Sequence, residues 1–486
     1  MIYIEILVLL GAIYLGVRLG GMAIGYAGGL GVIVLTLLGL KSGSIPWDVI
    51  LIIMSVIAAI TAMQVAGGLD YLVQIASRIL RKHPKHINFL APTVTWLLTL
   101  FAGTGHTAFS MIPVITEVAK GQNIRPCVPL SIAVVASQIA ITASPVSAAV
   151  VFMASDAALG GLGIDYPILL LIWMPTTFLG CMITAAIMNM FWKMDLSKDE
   201  NYLKLLAEGL TDKAEPVKEV ELPASAKRSV WIFLIGVVAV VFYASAISNN
   251  VQLIKPSVIV GYENVYQNDN AAEFDKLKAT LEVKQDEAKG AYVAKPKKVL
   301  ALPRDHAIIS FMMAIATFIV ILCKVDIGKL PSTTTFRSGM TACVCVLGVA
   351  WLGDTFVSNH TDEIKGFASD MVRAHPWTLA VALFFASMLL YSQAATARAL
   401  IPAVIVALGM TASNNGDAYI IVASFAAVSA LFVLPSYPTL LGAVQMDDTG
   451  TTQIGKYVFN HPFFIPGVLA IAFSVALGFV VAPMLL

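Results

Sequence analysis

Two long uncharged segments, each interrupted by polar residues, place the strongest constraint on how this chain can fold. Pro126–Ser155 runs for 30 residues without a charged side chain, and Ala418–Met446 runs for 29. Both exceed the roughly 20 apolar residues that a helix needs to cross a bilayer. Both also contain proline and clustered Ser and Thr, and breaks of this kind are tolerated at membrane depth only inside protein or beside a cavity. The pattern predicts two interrupted helices that line a substrate site.

The composition assigns the rest of the chain to a membrane as well. Of its 486 residues, 58% are hydrophobic and 13% are charged, whereas soluble proteins carry about 25% charged residues. We predict an all-α polytopic membrane protein in the lipid bilayer, with about 10–12 membrane segments. A net charge of +1 without a large basic cluster argues against nucleic acid as a partner. The five cysteines lack metal or redox spacing, so we expect neither a metal nor another cofactor.

Each uncharged segment is preceded by two short apolar stretches that polar residues join. In the first half, Asn88–Gly103 and Thr107–Val118 flank the sequence Gly-Thr-Gly-His. The second of these stretches would cover only about 18 Å as a helix, less than the ~30 Å of a bilayer core. We therefore predict a re-entrant hairpin with these four residues at its tip. In the second half, Trp377–Leu390 and Ala399–Met410 flank a corresponding interruption, Tyr391–Arg398.

The spacing of threonine and proline repeats between the two halves. Thr107 and Thr396 each lie six residues before a proline. A helix-breaking proline follows that first proline after 32 residues in the first half, at Pro145, and after 33 residues in the second, at Pro435. The spacing predicts an internal repeat in which each half contains one hairpin and one interrupted helix.

The basic residues predict that the repeat is inverted. Short loops rich in Lys and Arg tend to lie in the cytoplasm. In this chain, most short loops that carry Lys and Arg are cytoplasmic if both termini lie outside. The first hairpin then enters from the cytoplasm and the second from outside, an architecture found in secondary transporters. The predicted divisions are a first membrane repeat (1–192), a cytoplasmic linker (193–228), a span that opens the second repeat (229–247), an extramembrane insertion with a helix over Ala271–Lys289 (248–304) and the remainder of the second repeat (305–486).

The interruptions favour an anionic substrate. Half-helix N-termini present free N–H groups and a positive dipole end, which favour carboxylates, and hydroxyls and amides add neutral donors. Two such sites that face each other would suit a small dianion with a carboxylate at each end. The alternative is that the Ser and Thr hydroxyls only bond to carbonyls of their own helices. The predicted substrate-binding residues are Thr104, Gly105, His106, Thr107, Ser137, Gln138, Thr142, Ser144 and Pro145, and in the second half Ser392, Gln393, Thr396, Arg398, Pro435, Ser436, Tyr437 and Thr439.

Three titratable residues have more than one interpretation. His106 is a ligand or proton-linked group, or a tip residue that is simply hydrogen-bonded. Arg398 has no basic counterpart in the first half, where Phe109 stands. It either pairs with a substrate carboxylate or reaches the interface or another charge. Asp354 ends a short span, where it partners Arg398 or a coupling cation, or marks the membrane interface.

Short motifs along the chain resemble those of a known family. They are Arg18–Met22, Ala66–Asp70, Gly103–His106, Asn123–Pro126, Ala140–Ser147, Ala350–Ser358, Tyr391–Thr396, Leu434–Pro438, Gln445–Thr451 and Phe459–Pro466. In these motifs the chain resembles the anaerobic C4-dicarboxylate transporters of the Dcu family, most closely the DcuA type. The resemblance covers nearly the whole membrane part.

The resemblance implies antiport of aspartate, fumarate, malate and succinate across the inner membrane, in support of anaerobic respiration. It also implies transport-associated roles for Arg81, on an amphipathic helix predicted over Asp70–Lys85, and for Arg125 in the loop that follows. The chain departs from the family at Ser77, where an acidic residue is expected one turn before Arg81, and in the length of the 248–304 insertion. The family pattern does not require Arg398 as the anion anchor.

Other functions are weighed against this one. A Na⁺- or H⁺-coupled symporter of dicarboxylates or other organic anions would use a similar scaffold. It would need a dedicated ion site, and membrane-embedded carboxylates are scarce apart from Asp354. An intramembrane enzyme or a membrane sensor is a third class, but the sequence has no His-Glu-x-x-His, Gly-x-Ser-x-Gly or phosphate-binding loop. We therefore expect no enzymatic activity and no catalytic residue. The sequence leaves open whether the chain forms a homo-oligomer.

Overall fold

The computed structural model of the chain consists mainly of helices, which confirms the predicted all-α polytopic class. It describes residues 2–19, 22–45, 47–155, 157–209, 211, 222–247, 253–267, 270–360, 372, 374–390, 392–434, 437–456 and 459–486. Within these ranges, six helices are long and apolar enough to cross a membrane. Two consecutive helices bent by 70°, Ile50–Val65 and Gly68–Lys82, bring the number to seven if they are counted as one span, and five further apolar helices have 10–17 residues each.

The first half contains the predicted spans, hairpin and interrupted helix. Its helices are α1 (Ile2–Leu19), α2 (Ala23–Leu37), α3 (Trp47–Val65), α4 (Gly68–Lys82), α5 (Ile87–Ala102), α6 (Ala108–Gly121), α7 (Cys127–Ile139), α8 (Ala148–Met153) and α9 (Tyr166–Phe191). Helix α7 tightens into a 3₁₀ turn at Ala140–Ala143 and then unwinds before α8, so the predicted break at Ser144-Pro145 is confirmed. The amphipathic α4 meets α3 at the 70° bend.

The second half repeats this order after a linker, with the insertion between its first two spans. Its elements are α10 (Glu200–Ala207), α11 (Ala224–Ala246), β1 (Val258–Tyr266), α12 (Ala271–Lys278), β2 (Val283–Asp286), β3 (Gly290–Val299), α13 (Arg304–Cys323), α14 (Thr334–Asn359), α15 (Thr378–Leu390), α16 (Gln393–Ala407), α17 (Ala418–Ser424), α18 (Pro438–Met446) and α19 (Phe464–Leu485). A 3₁₀ segment, Phe425–Phe432, extends α17 to the second break.

Two predictions about the second half are wrong in part. The interruption expected over Tyr391–Arg398 is mostly helical, because Ser392 caps α16 by accepting a hydrogen bond from the N–H of Ala395 at 3.2 Å. The helix expected over Ala271–Lys289 ends at Lys278. Beyond it, β2 pairs with β3 and β3 pairs with β1, both antiparallel, and α12 contacts this sheet.

The two interrupted helices run in opposite directions. The start of α7 lies beside the loop after α18, where the N–H of Cys127 donates to the hydroxyl of Thr451 at 3.1 Å. The loop after α8 lies beside the loop before α17, where the side-chain amide of Asn415 donates to the carbonyl of Leu162 at 2.9 Å. The first interrupted helix therefore leads from one face of the molecule to the other, and the second leads back, as in an inverted repeat.

The remaining helices pack with the same twofold relation. Helix α2 contacts α14, and its repeat-equivalent α13 contacts α3, while the closing helices α9 and α19 contact each other. Small residues allow the closest of these approaches, as is common between membrane helices. A Cβ atom on Gly348 of α14 would lie 1.8 Å from the carbonyl oxygen of Gly25 of α2.

Candidate functional site

The first hairpin has both ends at one face and its tip inside the protein. The side-chain amide of Asn88, at the start of α5, donates to Asn189 near the end of α9 at 3.0 Å. That of Asn123, just after α6, donates to Asp195 at 2.8 Å, a few residues beyond the end of α9. At the tip, Gly103 adopts a left-handed conformation with φ of 67°. The hairpin is therefore re-entrant, as its length predicts.

Threonine hydroxyls hold the first tip in shape. The hydroxyls of Thr99 and Thr107 share a hydrogen bond of 2.8 Å, and that of Thr107 also donates to the carbonyl of Thr104 at 3.2 Å. The unwound break after α7 rests on the same hairpin, since the hydroxyl of Ser144 donates to the carbonyl of Leu100 at 2.6 Å. The tip and the break therefore form one connected unit.

The second tip is built differently but also carries a threonine. The hydroxyl of Thr396 donates to the carbonyl of Ser392 at 2.8 Å, and Thr396 is fully buried. Since Ser392 already caps the helix, the first turn of α16 is fixed by two side chains. Its free N–H groups carry the positive end of the helix dipole.

Gln138 joins both tips and one of the breaks. Its backbone carbonyl accepts a hydrogen bond from the side-chain amide of Gln393, at the second tip, at 3.3 Å. Its own side-chain amide donates to the hydroxyl of Thr439, just after the second break, at 3.3 Å. Gly105 of the first tip packs so closely that a Cβ there would lie 2.5 Å from Gln138 Nε2. We call these four residues, Gly105, Gln138, Gln393 and Thr439, the glutamine junction.

The glutamine junction is closed to solvent. Gln138 and Thr439 have no exposed surface, and Gln393 is 6% exposed. The junction combines amides and a hydroxyl from elements that enter from opposite faces. These polar groups are paired mainly with one another, and a few buried polar groups brought together in this way can orient a ligand, so the junction can recognise a polar molecule.

In each half, one residue at or just before the start of the closing helix contacts a backbone carbonyl of the break. The hydroxyl of Tyr166, at the start of α9, donates to the carbonyl of Pro145. In the second half, the Nε2 atom of His461, shortly before α19, lies 3.1 Å from the carbonyl oxygen of Val433. The two fastenings occupy corresponding places in the repeat. Sequence reasoning missed both residues, because nothing in a linear pattern ties them to the breaks.

Arg398 and its counterpart Phe109 each contact the interrupted helix of the other half. The guanidinium of Arg398 lies 5.6 Å from the ring centre of Phe152 in α8, a cation–π distance. Phe109 of α6 packs on Gly442 of α18, where a Cβ would lie 2.2 Å from the ring. One half thus places a cation beside the broken helix where the other places an aromatic ring.

Several predicted site residues lie elsewhere or use their polar groups locally. The hydroxyls of Ser137 and Thr142 donate to carbonyls of their own helix, both at 2.7 Å. The carboxylate of Asp354 accepts hydrogen bonds from the N–H and hydroxyl of Ser44, at 2.6 and 2.9 Å, and so fixes the α2–α3 loop. Tyr437 precedes α18. Pro435, Ser436 and the side chain of His106 lie outside the described part of the structure.

Comparison with known proteins decides the family. The family model described as anaerobic C4-dicarboxylate membrane transporter matches residues 1–486. The chain belongs to this family. It is 61% identical to the C4-dicarboxylate transporter DcuA of Wolinella succinogenes over 487 aligned residues, covering all of both chains. It is 58% identical to that of Helicobacter pylori strain J99, covering all of this chain and 99% of the relative, and 49% identical to that of Escherichia coli K12 over the full length of both.

The fold is shared with a solved transporter structure. The YdaH transporter of Alcanivorax borkumensis superposes with a TM-score of 0.50 at 13% sequence identity, covering 88% of this chain and 84% of that one. At this identity the likeness concerns the fold alone. The relatives of this Dcu-family chain are named as transporters, which confirms the prediction that it is not an enzyme.

The two arginines that the Dcu resemblance singles out are both paired with carboxylates. Arg81 of α4 contacts Glu117 of α6 at 2.9 Å. The hydroxyl of Ser77, where the resemblance led us to expect an acidic residue, donates instead to the carbonyl of Val73 in its own helix at 2.8 Å. In this chain the acidic partner of Arg81 therefore comes from the first hairpin. Glu117 was not predicted, because only the packing of α4 on α6 brings it near.

Ion pairs and hydrogen bonds hold the start of the linker against the first half. Arg125 contacts Asp199, which caps α10, at 2.6 Å. Lys120 of α6 contacts both Asp448, after α18, at 2.7 Å and Thr211 at 2.9 Å. Hydrogen bonds from the side chains of Ser197, Lys198 and Asn123 lower the pKa of Asp195 to about 2. The linker is thereby fastened to the face at which the first hairpin opens.

The Arg125–Asp199 pair gives a test of this fastening. Arg125→Ala and Asp199→Asn should each lower the free energy of unfolding by about 1–2 kcal/mol, because each leaves a largely buried partner without its counter-charge. The double variant should be no less stable than the weaker single one, since both changes remove the same contact. Thermal unfolding of the purified protein in detergent measures this. Additive losses in the double variant would contradict the pairing.

Proposed function

We propose that this chain exchanges one C4-dicarboxylate for another across the inner membrane by alternating access. The substrates would be aspartate, fumarate, malate and succinate, in support of anaerobic respiration. The observation that carries the proposal is the glutamine junction, where two tips from opposite faces meet with the second interrupted helix. Opening either tip away from Gln138 would expose the same polar groups to one side or to the other.

The charge of the substrate supports this placement. A C4-dicarboxylate has a carboxylate at each end, and helices α6 and α16 each begin beside the junction with free N–H groups and a positive dipole end. Arg398, which contacts Phe152 of the first broken helix, adds a full positive charge in the first turns of α16. The substrate would lie between the two tips, with one carboxylate directed to each half.

The proposal also assigns sides and divisions. Residues 1–192 and 229–486 form the two repeats, with the insertion 248–304 outside and the linker 193–228 in the cytoplasm. Both termini then lie outside, and the fastened linker face is cytoplasmic, in keeping with the basic residues Arg81, Lys120 and Arg125 on that face. All groups of the glutamine junction come from one chain, so a homo-oligomer would contain independent sites.

Exchange is tested in proteoliposomes. Vesicles loaded with succinate should take up labelled fumarate or aspartate much faster than empty vesicles, because the carrier returns only when loaded. A cation-coupled symporter behaves differently. Strong uptake into empty vesicles under an imposed Na⁺ or H⁺ gradient, with no gain from internal succinate, would overturn the exchange mechanism.

The threonines of the two tips give a matched test of the site. Thr107→Ala and Thr396→Ala should each weaken apparent substrate affinity by roughly three- to tenfold, since each hydroxyl orders its tip. Thr317→Ala is the control. It removes a hydroxyl that donates to the carbonyl four residues earlier, as in Thr396, but on an exposed face of α13. Apparent affinity is measured by concentration dependence of exchange, at equal amounts of membrane protein. Unchanged affinity in both tip variants would remove the tips from the site.

A further inference from the structure

One polar atom of the glutamine junction is left without a partner. Gln138 is fully buried, its backbone carbonyl accepts from Gln393 and its Nε2 donates to Thr439. Its side-chain oxygen, Oε1, has no hydrogen-bond partner in the described residues. The whole side-chain amide lies beside Gly105, where a Cβ would come 2.5 Å from Nε2 and 3.1 Å from Oε1. An acceptor without a partner therefore lies beside the first hairpin tip, inside the protein.

The chemistry of the substrates decides what can satisfy this oxygen. Ionised succinate and fumarate carry only acceptors at their carboxylates, so neither can donate a hydrogen bond to Oε1. A hydroxyl or ammonium group on carbon 2 can donate, and an ammonium gives the stronger, charge-assisted bond. A buried acceptor that stays unpaired with one ligand and is paired with another discriminates strongly between them.

We infer that Gln138 is a specificity-determining residue whose Oε1 atom selects C4-dicarboxylates that carry a hydrogen-bond donor on carbon 2. This inference rests on the proposed function, because it places the substrate at the glutamine junction. The junction holds unsubstituted dicarboxylates through their carboxylates and adds one further bond to the substituted ones. A ligand that moves the tip at Gly105 aside would place its carbon-2 substituent within reach of Oε1 of Gln138.

The wild-type protein tests the inference with a series of competitors of one skeleton. Aspartate, malate and 2-methylsuccinate differ only in the group on carbon 2, which is ammonium, hydroxyl or methyl and of similar size. Aspartate and malate should compete with labelled succinate about tenfold better than either enantiomer of 2-methylsuccinate. Malate is the control for charge, because its hydroxyl donates a hydrogen bond without the positive charge of the ammonium group of aspartate. Equal competition by 2-methylsuccinate would overturn the inference.

A pair of variants separates the acceptor from the rest of the amide. Gln138→Met keeps the side-chain volume but removes Oε1 and the bond to Thr439, whereas Thr439→Val removes that bond and leaves Oε1. The ratio of apparent affinities, aspartate over 2-methylsuccinate, should fall about tenfold in Gln138→Met and stay within twofold of wild type in Thr439→Val. Equal weakening for all dicarboxylates in Gln138→Met would show that the amide contacts carboxylates instead, and would overturn the inference.

The outcomes also separate this inference from the proposed function. If wild-type vesicles exchange no C4-dicarboxylate, the proposed function fails. If exchange is intact while the competitor series and the variant ratios show no preference for a donor on carbon 2, only the role of Gln138 fails. Should Gln138→Met not reach the membrane, the competitor series on the wild-type protein decides alone.

Discussion

Gly105→Ala is expected to lower the exchange rate by roughly tenfold or more. A Cβ at this position would lie 2.5 Å from Nε2 and 3.0 Å from Cδ of Gln138, and overpacking of this kind typically costs about 1–3 kcal/mol. The first tip could no longer close on the glutamine junction, so the closed state through which exchange passes would be depopulated. The initial rate of labelled fumarate uptake into succinate-loaded vesicles measures the effect.

The control for this variant is Gly29→Ala. A Cβ on Gly29 meets nothing within 4 Å, so this change adds the same methyl group without a clash, and wild-type exchange is expected. If Gly105→Ala exchanged as fast as Gly29→Ala, closure of the first tip on Gln138 would not belong to the transport cycle.

The second large effect concerns stability. Gly348→Ala would place a Cβ 1.8 Å from the carbonyl oxygen and 2.5 Å from the carbonyl carbon of Gly25. Both atoms are backbone and cannot swing aside, so α2 and α14 would have to separate along their length. We expect a loss of at least about 3 kcal/mol, seen as a sharp fall in folded protein extracted from membranes and in its thermal unfolding temperature.

Gly11→Ala is the matched control, because a Cβ there has no neighbour within 4 Å. It should leave both the yield and the unfolding temperature unchanged. A Gly348→Ala protein that is as stable as wild type would show that α2 and α14 do not approach as closely as described.

Features that depend on local sequence could be predicted. Proline, glycine and clustered hydroxyls act within a few residues, so the break after α7 and the tip at Gly103 follow from the chain itself. The matched spacings around Pro145 and Pro435 likewise indicate the repeat. These signals locate where helices stop, and in the first half the structure has an unwound segment at Ser144–Ser147, between α7 and α8.

Contacts between distant parts of the chain could not be predicted in this way. Gln393 and Thr439 reach Gln138 across 255 and 301 residues, and no periodicity in the sequence encodes such a pairing. In the sequence, Glu117 and Asp199 look like ordinary surface carboxylates. Only the fold brings Glu117 next to Arg81 and Asp199 next to Arg125. The short strands of the insertion escaped notice because their residues alternate only weakly between apolar and polar.

The central claim is that two tips enter from opposite sides and enclose one substrate. Its most direct test is a cysteine-labelling experiment on Thr104→Cys and Ser392→Cys, each in a chain whose five native cysteines, all buried, are replaced. In sealed vesicles of known orientation, a membrane-impermeant maleimide should react faster with Thr104→Cys from the cytoplasmic side and faster with Ser392→Cys from the outer side. Succinate should slow both reactions. Faster labelling of both positions from the same side, or rates that succinate does not change, would contradict this arrangement.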